Sequence, residues 1–253
     1  MPLPARALFG AACLLLAAGP AAAERDRQPL LAPRSAEASL AAVARLRPAN
    51  RTGGGCSAVL IAADLALTAA HCARGAVSGP RAMQLHFRPD QRPPIFRATV
   101  RAVAFHADFV NERNARINSD TAHTDIALLR LARPVPPEIA TPIPVATGAE
   151  GDAQPELVAI YGYVNGEPDL LRGHPGCALT TLRPGLLGSD CRVVGGLSGA
   201  PVLSGGPGSW RVEGITVATL NADWNGTPLR AFIVDAAPWP AFTGPYALAE
   251  PPP

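Results

Sequence analysis

Beyond residue 23 no stretch of this sequence sustains the 3.6-residue period of a half-buried helix. In its place come short apolar runs separated by turn residues. In the first half they lie at 41–46, 56–61, 65–68, 83–88, 95–105 and 126–131; in the second at 157–163, 177–183, 200–203, 210–220 and 229–234. A chain of this kind buries its apolar side chains between strands, so the expectation is all-β, as a pair of antiparallel barrels or a sandwich. Residues 132–151 interrupt the pattern. Pro134, Pro136, Pro137, Pro142 and Pro144 disfavour both helix and central strand there, which marks an extended connector between two halves, 41–131 and 152–235.

The ends read differently. Arg6, an apolar stretch over 7–18 and Ala21-Ala22-Ala23 make residues 1–23 a secretory signal, too short to span a bilayer. Residues 24–40 are polar and aperiodic, a flexible lead-in or propeptide, and 236–253 form a proline-rich tail. The expected location is secreted or periplasmic, with no stable membrane insertion.

That compartment decides how the cysteines are read. Of five, Cys13 falls inside the signal, leaving Cys56, Cys72, Cys177 and Cys191. An even number in an oxidising compartment implies two disulfides, and proximity in sequence favours Cys56–Cys72 and Cys177–Cys191. Neither pair has the spacing of a structural zinc site. The net charge is +2 and the basic residues are scattered, which argues against a nucleic-acid stripe. All 22 basic residues are arginine. Without lysine, a serine–lysine dyad, a Schiff base and a P-loop are excluded, so an activated serine here has to use histidine.

Three places carry the residues for such chemistry. Leu67-Thr68-Ala69-Ala70-His71-Cys72 ends an apolar run with a histidine beside a cysteine that can be stapled to Cys56. Fifty-four residues on, Thr124-Asp125-Ile126-Ala127-Leu128-Leu129 sets a carboxylate immediately before a buried strand, where desolvation demands a partner. In Gly195-Gly196-Leu197-Ser198-Gly199-Ala200-Pro201 a serine stands among glycines whose backbone N–H groups can converge on one point. His106, His123 and Asp108 lack convergent metal-ligand spacing, and His86 and His174 are most simply surface histidines. Asn50-Arg51-Thr52 and Asn225-Gly226-Thr227 match the glycosylation pattern. No metal or cofactor is expected.

These motifs, in the order His, Asp, Ser, resemble the trypsin-like (chymotrypsin-fold) serine peptidases over residues 41–234. Gly176-Cys177 and Asp190-Cys191 look more like the secreted bacterial branch that includes glutamyl endopeptidases. The resemblance implies two six-stranded antiparallel β-barrels with the active site in the cleft between them. It implies Ser198 as nucleophile, His71 as general base and acid, Asp125 as its orienting carboxylate, and the N–H groups of Gly196 and Ser198 as oxyanion hole. The implied activity is a serine endopeptidase acting on protein or peptide substrates, expected as a monomer.

The pattern also departs from the family. Leu197 stands where many members carry the aspartate that receives a new amino terminus on activation, and no activation sequence precedes Cys56. A catalytically inactive binding protein on the same fold is therefore the alternative. Arg192 occupies the place where trypsin carries its specificity aspartate, which disfavours basic substrates, and Thr216 stands where glutamyl endopeptidases have a histidine. With Val217 and Ala218 these residues form the candidate specificity pocket.

Overall fold

The computed structural model describes residues 29–236 apart from 34–37, 49–54, 75–78, 80–81, 92–93, 111–116, 147–154, 156 and 225–226. The signal segment lies outside the described residues, as do nearly all of the tail, parts of the lead-in and connector, and both glycosylation asparagines.

Six strands form the first barrel: β1 (Val43–Pro48), β2 (Cys56–Ala62), β3 (Leu65–Thr68), β4 (Met83–Phe87), β5 (Phe96–Phe105) and β6 (Ala127–Leu131). Their spatial order is β1-β2-β3-β6-β5-β4, closed by antiparallel pairing of β1 with β4. The two-residue period is plain in β5, where Ala98, Val100, Ala102 and Ala104 are buried while Arg97 and Arg101 face solvent. Leu46, Leu60, Leu67, Leu85, Phe87 and Leu129 are among the largest completely buried side chains and belong to the strands of this unit. Alternation of small and large residues is what lets so narrow a barrel close over side chains alone.

The second half holds β7 (Val158–Tyr163), β8 (Leu171–Cys177), β9 (Leu179–Arg183), β10 (Leu186–Ser189), β11 (Pro201–Ser204), β12 (Arg211–Trp224) and β13 (Thr227–Asp235). They form a seven-stranded sheet in the order β8-β7-β11-β12-β13-β10-β9, a curled half-barrel where a closed six-stranded barrel was expected. The architecture is the two-barrel chymotrypsin-like one, with this difference in the second unit. β8 escapes sequence patterning because Gly173, Pro175 and Gly176 interrupt it. It survives as an edge strand, and its proline lies where the register with β7 shifts between Val158 and Ile160. β10 escapes because all four of its residues are buried and show no alternation.

Part of the lead-in is structural. Leu31 exchanges two backbone hydrogen bonds with Gly173, at 2.8 and 2.9 Å, and so adds a short strand segment to the open edge of β8. Leu30 packs against the core of the second unit. The connector is likewise anchored at both ends. Val135 and Ile143 donate to carbonyls of Ala63 and Leu60 in the first barrel, and Val145 then forms a parallel bridge with Val212 of β12.

Both disulfides join the expected pairs, Cys56 to Cys72 and Cys177 to Cys191. The reading of His86 and His174 as surface residues is corrected: both are buried, at 7% and 4% exposure. His86 lies on β4 with Arg45, Arg47 and Arg97 around it, and burial followed by these cations pushes its pKa down to about 4.

Candidate active site

β3 stops at Thr68, whose hydroxyl donates to the carbonyl of Ser57 at 2.7 Å, and the chain turns into a four-residue helix, Ala70–Ala73, that presents His71. The Cys56–Cys72 bridge ties that helix back to the start of β2. Asp125 follows the 3-10 turn Ala122–Thr124 and is 1% exposed, so its charge needs partners. His71 supplies both of them. Its backbone N–H donates to Asp125 Oδ1 and its ring Nδ1 to Oδ2, each at 2.7 Å. A carboxylate only accepts, so the ring proton sits on Nδ1 and the lone pair is left on Nε2. Nε2 lies beside the bridge, 3.4 Å from Cys72 Sγ.

Ser198 comes from the second unit and reaches the same place. Its carbonyl accepts from the N–H of Ser57 at 2.8 Å and lies 3.8 Å from Cys72 Sγ. The serine-bearing turn thus rests on the strand and the bridge that hold His71. The Ser198 hydroxyl is half-exposed and makes no hydrogen bond among the described residues.

The backbone of this turn is almost fully committed. Leu197 donates to Val194, Ala200 to Leu197 and Gly199 to Thr216, while Thr216 donates back to Ala200. The N–H groups of Gly196 and Ser198 have no acceptor among the described residues. Gly196 adopts φ +101°, and a Cβ there would lie 2.3 Å from the carbonyl oxygen of Tyr163, so only glycine fits. The Gly195 carbonyl is turned outward to the N–H of Asn165 at 2.9 Å. In a trans peptide the N–H opposes the C=O, so the Gly196 N–H points the other way. Two amides without an acceptor among the described residues thus lie close to one serine side chain.

Leu197, which raised the prospect of a collapsed turn, is wholly buried. It lies in an apolar cluster with Ile160, Val164, Val193, Val202 and Ile233. Hydrophobic burial thus accommodates the leucine in the turn. Arg192 is exposed, and its carbonyl accepts from Nε2 of buried His174 at 3.1 Å. Burial is also the main cause that lowers the pKa of His174. Thr216 and Val217 are buried and Ala218 is half-buried; the Thr216 hydroxyl has no partner among the described residues.

Cys56, His71 and Cys72 bring three potential ligand atoms together, but both sulfurs are spent in the disulfide and offer no thiolate to a metal. His106 and His123 do approach, with ring centroids 6.2 Å apart. Arg183 of β9 hydrogen-bonds His123 Nδ1 at 2.9 Å and also the Ser119 carbonyl, which sets a cation where a metal would need to bind. The same contact clamps the loop before Asp125 onto the second unit.

Two contributors escape sequence reasoning, Ser57 and Asn165. Asn165 acts through its backbone and leaves no trace in residue identity. Ser57 does leave one, as a lone hydroxyl in the otherwise apolar strand Cys56–Ala62.

A search of curated proteins found no match. The family model of the trypsin-like peptidase domain matches residues 56–215, which is more than half of the chain. The matched span begins at the cysteine that opens β2, takes in His71, Asp125 and the turn around Ser198, and ends in β12. With that match laid over a two-barrel fold, the chain belongs to the trypsin-like peptidase domain family.

Proposed function

We propose that this chain is a secreted serine endopeptidase that cuts peptide bonds through an acyl-enzyme on Ser198. His71 Nε2 takes the hydroxyl proton as Ser198 Oγ attacks the scissile carbonyl carbon. Asp125 stays ionised and steadies the imidazolium, and the carbonyl oxygen receives the N–H groups of Gly196 and Ser198. His71 then passes its proton to the leaving amine. Water, deprotonated by the same nitrogen, releases the acid product and restores Ser198. The observation that carries this reading is the commitment of both Asp125 oxygens to His71, which leaves Nε2 as the one basic position on that ring.

Secretion rests on the signal pattern and on the two disulfides; among the described residues no helix is long and apolar enough to cross a membrane. The Cys177–Cys191 bridge supports a place in the glutamyl-endopeptidase-like branch. An exposed arginine six residues before the nucleophile gives no anchor for a basic substrate side chain, so the residue before the cut bond is acidic or apolar. A binding protein that no longer cuts is the other reading of Leu197, and the burial of that side chain speaks for the enzyme.

The test uses the chain from residue 24 with a biotinylated fluorophosphonate and a mixed peptide library, beside Ser198→Ala. Labelling and cleavage in the wild type, both lost in the variant, are expected. A wild-type protein that neither labels nor cleaves overturns the proposal.

A further inference from the structure

Ser57 makes four hydrogen bonds, and three of them reach the second unit. Its N–H donates to the Ser198 carbonyl at 2.8 Å, and its carbonyl accepts from Thr68 at 2.7 Å within the first barrel. Its hydroxyl accepts from the N–H of Tyr163 at 2.8 Å and donates to the carbonyl of Gly196 at 2.9 Å. The residue is completely buried. The direction of the hydroxyl bonds follows from chemistry: an amide N–H can only donate and a carbonyl can only accept, so the single hydroxyl proton belongs to Gly196.

From this geometry, and resting on the serine-peptidase reading above, we propose that Ser57 is a positioning residue for the oxyanion hole, a side chain of the first barrel that helps fix the Gly196–Leu197 peptide plane lying in the chain between the two donor amides of the second. Glycine at 196 is conformationally permissive, and the peptide planes on either side of it are free to rotate unless held. The plane before it is held by the Asn165 N–H on the Gly195 carbonyl. The plane after it is held at both ends, by the Ser57 hydroxyl on the Gly196 carbonyl and by the Val194 carbonyl on the Leu197 N–H, and Ser57 is the one side-chain donor that reaches it among the described residues. With both planes pinned, the Gly196 N–H keeps one direction, and the donor is in place before charge develops on the substrate. Ser57 touches no reacting atom. Its influence passes through one backbone carbonyl across the cleft, and the same side chain ties the alignment of the barrels to the shape of the hole.

The consequence falls on the transition state and not on ground-state binding. A donor is useful only when the carbonyl oxygen carries negative charge, and losing one outright costs about 10²–10³ in kcat. Loosening it through Ser57→Ala should lower kcat ~10- to 100-fold with KM within about 2-fold of wild type. Ser57→Gly, which also removes the hydroxyl, is measured in parallel as a second variant should Ser57→Ala fold poorly. The substrate is the best fluorogenic peptide from the library, with active sites titrated by fluorophosphonate to completion. A peptide aldehyde of the same sequence, whose hemiacetal oxygen needs the hole, should lose affinity by the same factor as kcat/KM. A role in folding alone would lower the titre or the melting temperature and leave the rate per titrated site intact; that result, or an unchanged aldehyde affinity, overturns the proposal. An inactive wild type overturns the peptidase reading itself, whereas an active wild type with fully active Ser57 variants overturns only the role of Ser57.

Discussion

Leu197→Ala tests whether burial of one side chain holds the nucleophile turn open. Leu197 is 0% exposed, in a cluster built from β7, the turn before Ser198, β11 and β13. Its Cδ2 lies 3.0 Å from where a Cβ on Gly162 would stand, so it is packed hard against the face of β7. Truncating a leucine in such a site removes transfer energy and leaves a partly uncollapsed cavity, together about 3 kcal/mol within a usual span of 2–5. For a chain of this size that lowers Tm by roughly 6–12 °C. Activity should fall further than stability explains, by about 10-fold in kcat per titrated site, because Leu197 stands between Gly196 and Ser198, whose N–H groups have no acceptor among the described residues. Leu197→Asp should be worse, since a carboxylate in this apolar cluster meets no cation there and costs at least as much. Urea unfolding followed by tryptophan fluorescence, with kcat measured on titrated sites, gives both numbers. A loss below about 1 kcal/mol for Leu197→Ala, or a Leu197→Asp variant as stable and active as wild type, would refute the reasoning.

Asp125→Asn should lower kcat by about 10⁴ with little change in fold, because an amide cannot accept at both positions that His71 occupies and the ring proton shifts to Nε2; a pH–rate profile on titrated enzyme measures it. Replacing Cys56 and Cys72 by alanine opens a bridge that spans 16 residues, for a loss of ~3 kcal/mol. Because the bridge also lies against His71 Nε2 and the Ser198 carbonyl, kcat should fall at temperatures where the variant remains folded. His86 predicts acid sensitivity. Its folded pKa of about 4 lies below the unfolded 6.5, so at pH 7 it is neutral in both states and has no effect. As pH falls from 6.5 toward 4 the unfolded chain binds a proton that the folded chain refuses, and stability drops by at most about 3 kcal/mol, less what solvent screens. Urea midpoints at pH 7.5 and 5 should differ less in His86→Gln than in wild type, and equal differences would exclude His86 as the cause.

Strand positions in the first barrel were legible because side-chain alternation is a local property. Ala98, Val100, Ala102 and Ala104 announce the inward face of β5 without reference to any partner. Where alternation fails, so does the reading. β8 is broken by Pro175 and two glycines, and β10 is buried on both faces, so the second unit reads as fewer strands than the seven it contains. His71 and Asp125 stood out for a similar local reason, each fixed by the apolar strand it terminates or precedes. Histidine burial was not legible, since a short strand such as Met83–Phe87 looks the same whether its histidine faces solvent or a neighbouring strand.

The amino-acid sequence by itself determined the all-β class, the cysteine pairs, the absence of any lysine chemistry, and the residues capable of nucleophilic catalysis, because each depends on residue type and short spacing. Only the tertiary structure decided how the turn at Gly196 points. There the turn meets a hydroxyl 139 residues away and packs a leucine whose meaning changes with what surrounds it. Sequence identity does not encode the orientation of a peptide plane when glycine leaves it free; contacts across the cleft do.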